Sequence, residues 1–144
     1  MSQSKHNYKR AVLWATHGDK IRCGLCRHQC VIAAGKTGIC AVRKNIDGIL
    51  YSLVYDKVCS AGVDPIEKKP LFHFQPASTT FSIATPGCNF RCEFCQNWQI
   101  SQQAAAKGDI GGQPYTPKDI VTAALQNKCS SIAYTYTEPT IFME

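Results

Sequence analysis

Residues 79–97 read TTFSIATPGCNFRCEFCQN. The first eight, Thr79 to Pro86, form a short apolar run that reads as a β-strand, and the strand delivers the chain directly into a loop holding Cys88, Cys92 and Cys95. A zinc ion held for structure normally takes four protein ligands, and a disulfide takes two. Three thiolates this close leave a metal centre one ligand short, and that open position is where a substrate or cofactor binds. The alternative, a helix with an apolar stripe at positions i, i+4 and i+7, meets two objections. Pro86-Gly87 disfavours a helix start, and a helix would set the outer cysteines about 10 Å apart along its axis. Wrapped as a loop, the same three thiolates can converge on one iron-sulfur cube.

Working outward toward the carboxyl side, residues 96–107 (QNWQISQQAAAK) contain good helix formers and no breaker before Gly108. Residues 108–114 read as a loop. Thr116-Pro117-Lys118-Asp119 then carries the signature of a helix start, with Thr as N-cap, Pro at the first helical position and Asp placed for a capping box. That helix runs through DIVTAALQNK and gives way to SSIAYTYT, a second strand. Strand, helix, loop, helix, strand is the opening of a βαβ architecture with a parallel sheet, whose ligands collect at the carboxyl ends of the strands. The cysteine loop follows the first strand, and Thr137-Glu138-Pro139 follows the second.

On the amino side, residues 62–78 (GVDPIEKKPLFHFQPAS) hold three prolines and read as an irregular link. Before it, residues 48–61 (GILYSLVYDKVCSA) read as two strands around Tyr55-Asp56. Residues 22–40 (RCGLCRHQCVIAAGKTGIC) carry Cys23, Cys26, Cys30 and Cys40, with Gly24, Gly35 and Gly38 suited to the turns of a ligand knuckle. Four cysteines can close a second site unaided. Zinc and a second iron-sulfur cluster are both open, because all-thiolate ligation suits either. His28 stands between these cysteines and reads as a surface or supporting residue rather than a ligand. Residues 8–16 (YKRAVLWAT) read as a short amphipathic helix ending near Gly18-Asp19.

The whole chain, 144 residues with 44% apolar content, is enough for one ordinary domain or two small ones. We divide it at residues 1–75, a cysteine-rich metal-binding and β region, and 76–144. No apolar run has the length of a signal peptide or a membrane span, so the reading is cytoplasmic. Nine cysteines in a chain of that kind point to ligands rather than disulfides, since the cytosol keeps thiols reduced. Cys59 and Cys129 stand alone and read as small buried hydrophobes. The net charge of +6 is spread over pairs such as Lys9-Arg10, Arg43-Lys44 and Lys68-Lys69 and reads as a solvated surface. Without a basic stripe, a nucleic-acid-binding zinc domain is the weakest reading. His73 and Trp98 lie in apolar stretches and read as packing residues, so no catalytic side chain is assigned.

The Cys-x3-Cys-x2-Cys spacing after the first strand of an α/β unit resembles the radical S-adenosylmethionine enzymes. DPIEKKPLFHF, SIATPGCNFRCEFCQNWQIS and AYTYTEPTIF are further similar to the radical protein of the AmmeMemoRadiSam system, a relative of the pyruvate formate-lyase activating enzymes. The resemblance runs from Cys23 onward. It implies a partial (βα)6 barrel and a [4Fe-4S] cluster bound through Cys88, Cys92 and Cys95. The fourth iron would be chelated by S-adenosylmethionine, whose reductive cleavage yields a 5′-deoxyadenosyl radical. By the same resemblance, Phe94 packs near the adenine and Glu138 stands where a Gly-Gly-Glu-like segment holds the cofactor's amino group, here without the glycines. A reductant such as flavodoxin or ferredoxin and a protein or small-molecule substrate are the implied partners. The family's barrel needs more strands than this sequence supplies, so we expect a fragment or a chain completed by another. Two parallel strands alone would leave sheet edges unpaired. The competing function is an iron-sulfur or zinc module that carries electrons or contacts a partner without radical chemistry.

Overall fold

The computed structural model describes residues 8–103 and 110–144. The architecture is mixed α/β and mostly strands. In chain order the strands are β1 (Lys9–Arg10), β2 (Trp14–His17), β3 (Lys20–Cys23), β4 (Val31–Ile32), β5 (Arg43–Ile46), β6 (Ile49–Ser52), β7 (Lys57–Val58), β8 (Ser60–Pro65), β9 (Thr79–Ala84), β10 (Gln113–Pro114) and β11 (Ser131–Tyr134). Among the described residues one α-helix, α1 (Pro117–Gln126), stands between β10 and β11. No helix among the described residues is long and apolar enough to cross a membrane.

The amino-terminal third is built from antiparallel strands, in a sheet ordered β2-β3-β4 and another ordered β1-β6-β5. Ala11, Ile21, Cys23, Ile32 and Leu50 form the core between them. Here the expected helix over residues 8–16 is corrected. Trp14–His17 pairs in register with Lys20–Cys23, and the Ala11 amide donates to the Leu50 carbonyl at 2.9 Å. Long-range strand partners decided the backbone over a local pattern that a short helix would also satisfy. The solvated reading of the basic pairs also fails at Arg43. This residue is 1% exposed on β5, and its guanidinium is ion-paired with Glu144.

The parallel pair anticipated from the sequence is present. β9 and β11 run parallel, with Thr80 opposite Ser131 and Ile83 opposite Tyr134, and α1 packs against them through Ile120 and Ala124 onto Phe81 and Ile83. The helix begins as its sequence demands. The Thr116 side chain accepts from the Asp119 amide at 3.2 Å, and the Asp119 carboxylate accepts from the Thr116 amide at 2.9 Å.

Two expectations change around this pair. The outer edge of β9 is covered by β8, antiparallel from Ser60 opposite Ala84 to Pro65 opposite Thr79. The stretch read as irregular is therefore strand through its first four residues, because Pro65 takes the terminal position, where a missing N–H costs least. The sheet, ordered β11-β9-β8, takes strands from both sides of residue 75. Ile66–Lys68 is a 3-10 turn, and the Glu67 carboxylate closes the following loop by accepting from the Ala77 amide at 2.7 Å. The helix expected after the cysteine loop is a π-helix over Gln99–Gln103, and Ala104–Lys107 lie outside the described residues. Within the expected loop 108–114, Gln113–Pro114 pairs with Lys57–Val58.

Candidate metal and cofactor site

β9 carries the chain to Ala84, and a buried run from Thr85 to Asn89 turns it into the cysteine loop. Gly87 makes the turn possible. Its φ is +89°, and a Cβ there would stand 2.5 Å from Val42 Cγ1 and 2.8 Å from the Cys40 carbonyl oxygen. Both the conformation and the space exclude a side chain. The Gly87 amide donates to the Ile100 carbonyl at 2.8 Å, which ties the loop's start to the π-helical turn beyond it.

Within the loop, Cys88 is buried and its sulfur accepts from the Phe90 amide at 3.4 Å. Cys92 is exposed. Cys95 is half-buried, with its sulfur 3.4 Å from Ser101 Oγ. Arg91 staples the loop to the amino-terminal region, donating to the Cys88 carbonyl at 2.8 Å and across to the Ile39 carbonyl. His28 Nε2 donates to the Asn89 carbonyl at 2.8 Å, so the residue between the first cysteines acts as a bridge to the second group. The sequence held no signal for this docking, because the partners are carbonyls 61 and 52 positions away.

The second strand brings its own end to the same place. Thr137, buried, donates from Oγ1 to the Thr85 carbonyl at 3.0 Å, so the ends of β9 and β11 are fastened side by side. One residue on, the Glu138 carboxylate accepts from Thr140 Oγ1 at 2.5 Å and caps the 3-10 turn Pro139–Phe142. Phe94 is 89% exposed at the loop's outer face. His73 is exposed and Trp98 is 50% exposed, so neither serves as the packing residue read from its apolar neighbours.

All nine cysteines are free thiols. Among the described residues, no group of three or more His, Cys, Asp or Glu side chains stands in a metal-holding arrangement. The donor set of the loop nonetheless suits an iron-sulfur cluster: three soft thiols lie within eight residues, one exposed, one half-buried and one already receiving an N–H···S bond.

Of the first group, Cys23 and Cys40 are buried and Cys26 and Cys30 half-buried. Burial pushes the Cys23 and Cys40 thiols up from the ordinary 9.0. The backbone amide of Leu25 for Cys23, those of Val42 and Arg43 for Cys40, and the Arg43 guanidinium for both pull the other way. Cys59 and Cys129, expected to be buried, are half-buried; Cys59 donates to the Ala84 carbonyl at 3.4 Å, and Cys129 packs against the α1 cluster.

A polar knot missed by the sequence reading sits behind the sheet. The Asp64 carboxylate accepts from Ser82 Oγ at 2.7 Å, Tyr136 Oη at 2.6 Å, Lys68 at 2.7 Å and Lys69 at 2.8 Å. Burial alone would raise its pKa, but these four donors together hold it well below the usual carboxylate range. The available signal was an Asp followed by Lys four and five residues later.

An uncharacterized protein of Methanocaldococcus jannaschii is 50% identical to this chain over 126 residues, 88% of the chain and 37% of that protein. The chain thus spans little more than a third of the length of the curated relative it matches. No solved structure matches. The match to a family model falls where the site is: residues 82–144, from the end of β9 through the three-cysteine loop, α1 and β11, match the Radical SAM superfamily.

Proposed function

We propose that residues 82–144 form the cofactor end of a radical S-adenosylmethionine enzyme, with Cys88, Cys92 and Cys95 as ligands of a [4Fe-4S] cluster. One observation carries the reading: three thiols on one eight-residue loop stand at the carboxyl end of β9, beside the carboxyl end of a parallel strand fastened to it by Thr137. The superfamily match over the same residues supports it. When bound, the cluster and S-adenosylmethionine supply one-electron cleavage of the sulfonium.

The chain's own residues would hold and orient that pair. Gly87 and Arg91 set the path of the loop backbone. Phe94, exposed beside the last cysteine, is available to cover the adenine. Glu138 would hold the amino group of the cofactor, exchanging its contact with Thr140 for the new one.

In finer detail, we read the protein as one of the AmmeMemoRadiSam type, related to glycyl-radical activases. It would be built on a partial (βα)6 barrel and act in the cytoplasm with a flavodoxin or ferredoxin as reductant. The stretch DPIEKKPLFHF supports this reading. The test is anaerobic reconstitution with iron and sulfide, chemical reduction, and measurement of 5′-deoxyadenosine and methionine released from S-adenosylmethionine. Release that disappears in Cys92→Ala supports the enzyme. A reducible cluster that leaves S-adenosylmethionine intact would instead make the chain an electron-transfer or interaction module.

A further inference from the structure

Near the cysteines of residues 23–40 lies a buried cation with unused donors. Arg43 is 1% exposed, and one of its terminal nitrogens, Nη2, pairs with Glu144. Its Nε and Nη1 are buried with no hydrogen-bond partner. A buried donor left unsatisfied is costly, and a buried cation more so. The guanidinium lies within electrostatic range of the Cys23 and Cys40 thiols, and Cys23 in turn lies within range of Cys26, Cys30 and Cys40. Two of the four sulfurs are thus in range of the guanidinium, and the other two are in range of Cys23.

The backbone gathers these sulfurs from three segments. Cys23 closes β3, and its amide donates to the Cys30 carbonyl at 2.9 Å. The Ile39 amide donates to Cys30 Sγ at 3.5 Å, drawing the turn that carries Cys40 up to Cys30. We propose that Cys23, Cys26, Cys30 and Cys40 form a structural zinc site, a closed tetrathiolate whose surplus negative charge is partly offset by Arg43.

Four thiolates around a divalent ion carry a net charge of about −2, which gives the two idle donor nitrogens of Arg43 acceptors and a counter-charge. The packing beside Cys30 is tight on the side of Gly38. A methyl added to Gly38 would already lie 3.4 Å from Cys30 Sγ and 3.3 Å from Ile32 Cδ1, so little room remains beside Cys30. A single ion with sulfurs at about 2.3 Å occupies far less room than a cube of four irons. The four thiols do not yet stand as a cage, so closing the site requires them to draw together. The site lies outside residues 82–144 and is independent of the radical chemistry proposed for them.

The test supplies the chain with both zinc and iron and measures each metal after anaerobic purification. The native chain is compared with Cys26→Ala, with Cys26→His, and with Cys88→Ala/Cys92→Ala/Cys95→Ala. We expect about one zinc per chain in the native protein and in the triple variant, at least a tenfold loss in Cys26→Ala, and recovery in Cys26→His as a Cys3His site. Cobalt substituted into the native chain should show sulfur-to-cobalt charge transfer, which keeps the test decisive if Cys26→Ala does not fold. Zinc undiminished in Cys26→Ala, zinc lost in the triple variant, or iron in place of zinc at the first group would each overturn the proposal. Loss of iron alone from the triple variant bears only on the three-cysteine loop.

Discussion

Cys23 and Cys40 sit inside two hydrophobic clusters, the first with Ile21 and Leu50 and the second with Val42, Val54 and Ile141. Cys92 and Cys95, in contrast, lie on a loop whose neighbours Phe90, Phe94 and Trp98 are exposed. A metal at the first group would be enclosed by the core of the antiparallel sheets. One at the second would face outward beyond the end of a parallel strand. Enclosure suits a structural ion and an open face suits a ligand that must come and go. The regions are also joined, through Arg91, His28 and the contact of Gly87 with Val42 and Cys40.

The strongest way to break this contrast is to remove ligands from one side only. Replacing Cys88, Cys92 and Cys95 with Ala should abolish a bound cluster of about four irons and all release of 5′-deoxyadenosine. The melting profile of the amino-terminal strands should remain, which circular dichroism with the iron assay will show. Next is Arg43→Ala, which strips the counter-charge from the enclosed side and leaves the Glu144 carboxylate without its cation. It should cost about 3 to 5 kcal/mol by urea unfolding. Gly87→Ala attacks the joint between the regions. A forced left-handed residue colliding with Val42 should cost about 3 kcal/mol and lower the iron retained on the loop.

A gentler probe is pH. The folded-state pKa of Asp64 lies below its unfolded value of 3.8, so its stabilisation is complete above that value and is lost as pH falls toward the folded one. The native chain should therefore lose melting temperature below about pH 4 more steeply than Asp64→Asn, even though the variant is the less stable at neutral pH. Smallest is Thr116→Ala, which removes the cap of α1 and should cost about 1 kcal/mol without altering either metal content.

The sequence made some of this legible and hid the rest for physical reasons. α1 could be placed because Thr116, Pro117 and Asp119 act on their own backbone within four residues. β9 and β11 could be placed because short apolar runs bounded by turn residues have the length and composition of buried strands. The segment Tyr8–Thr16 could not, since its structure is set by β3 and by Leu50, which lie far along the chain. The burial of Arg43 and the four donors on Asp64 were hidden likewise, because a basic residue looks the same in sequence whether water or a carboxylate surrounds it. The spacing of the three cysteines was visible, while the braces from His28 and Arg91 depend on tertiary contact.

The sheet ordered β11-β9-β8 has a direction of growth. On one flank β8 runs antiparallel to β9 and ends at Pro65, which cannot donate a hydrogen bond, while the 3-10 turn and the Asp64 knot lock that side in place. On the other flank β11 lies parallel and pairs, among the described residues, only with β9. β8 therefore works as a terminus and β11 as a template. A further parallel strand would pair along the outer edge of β11 and extend the row of strand ends on which Cys88 and Glu138 stand.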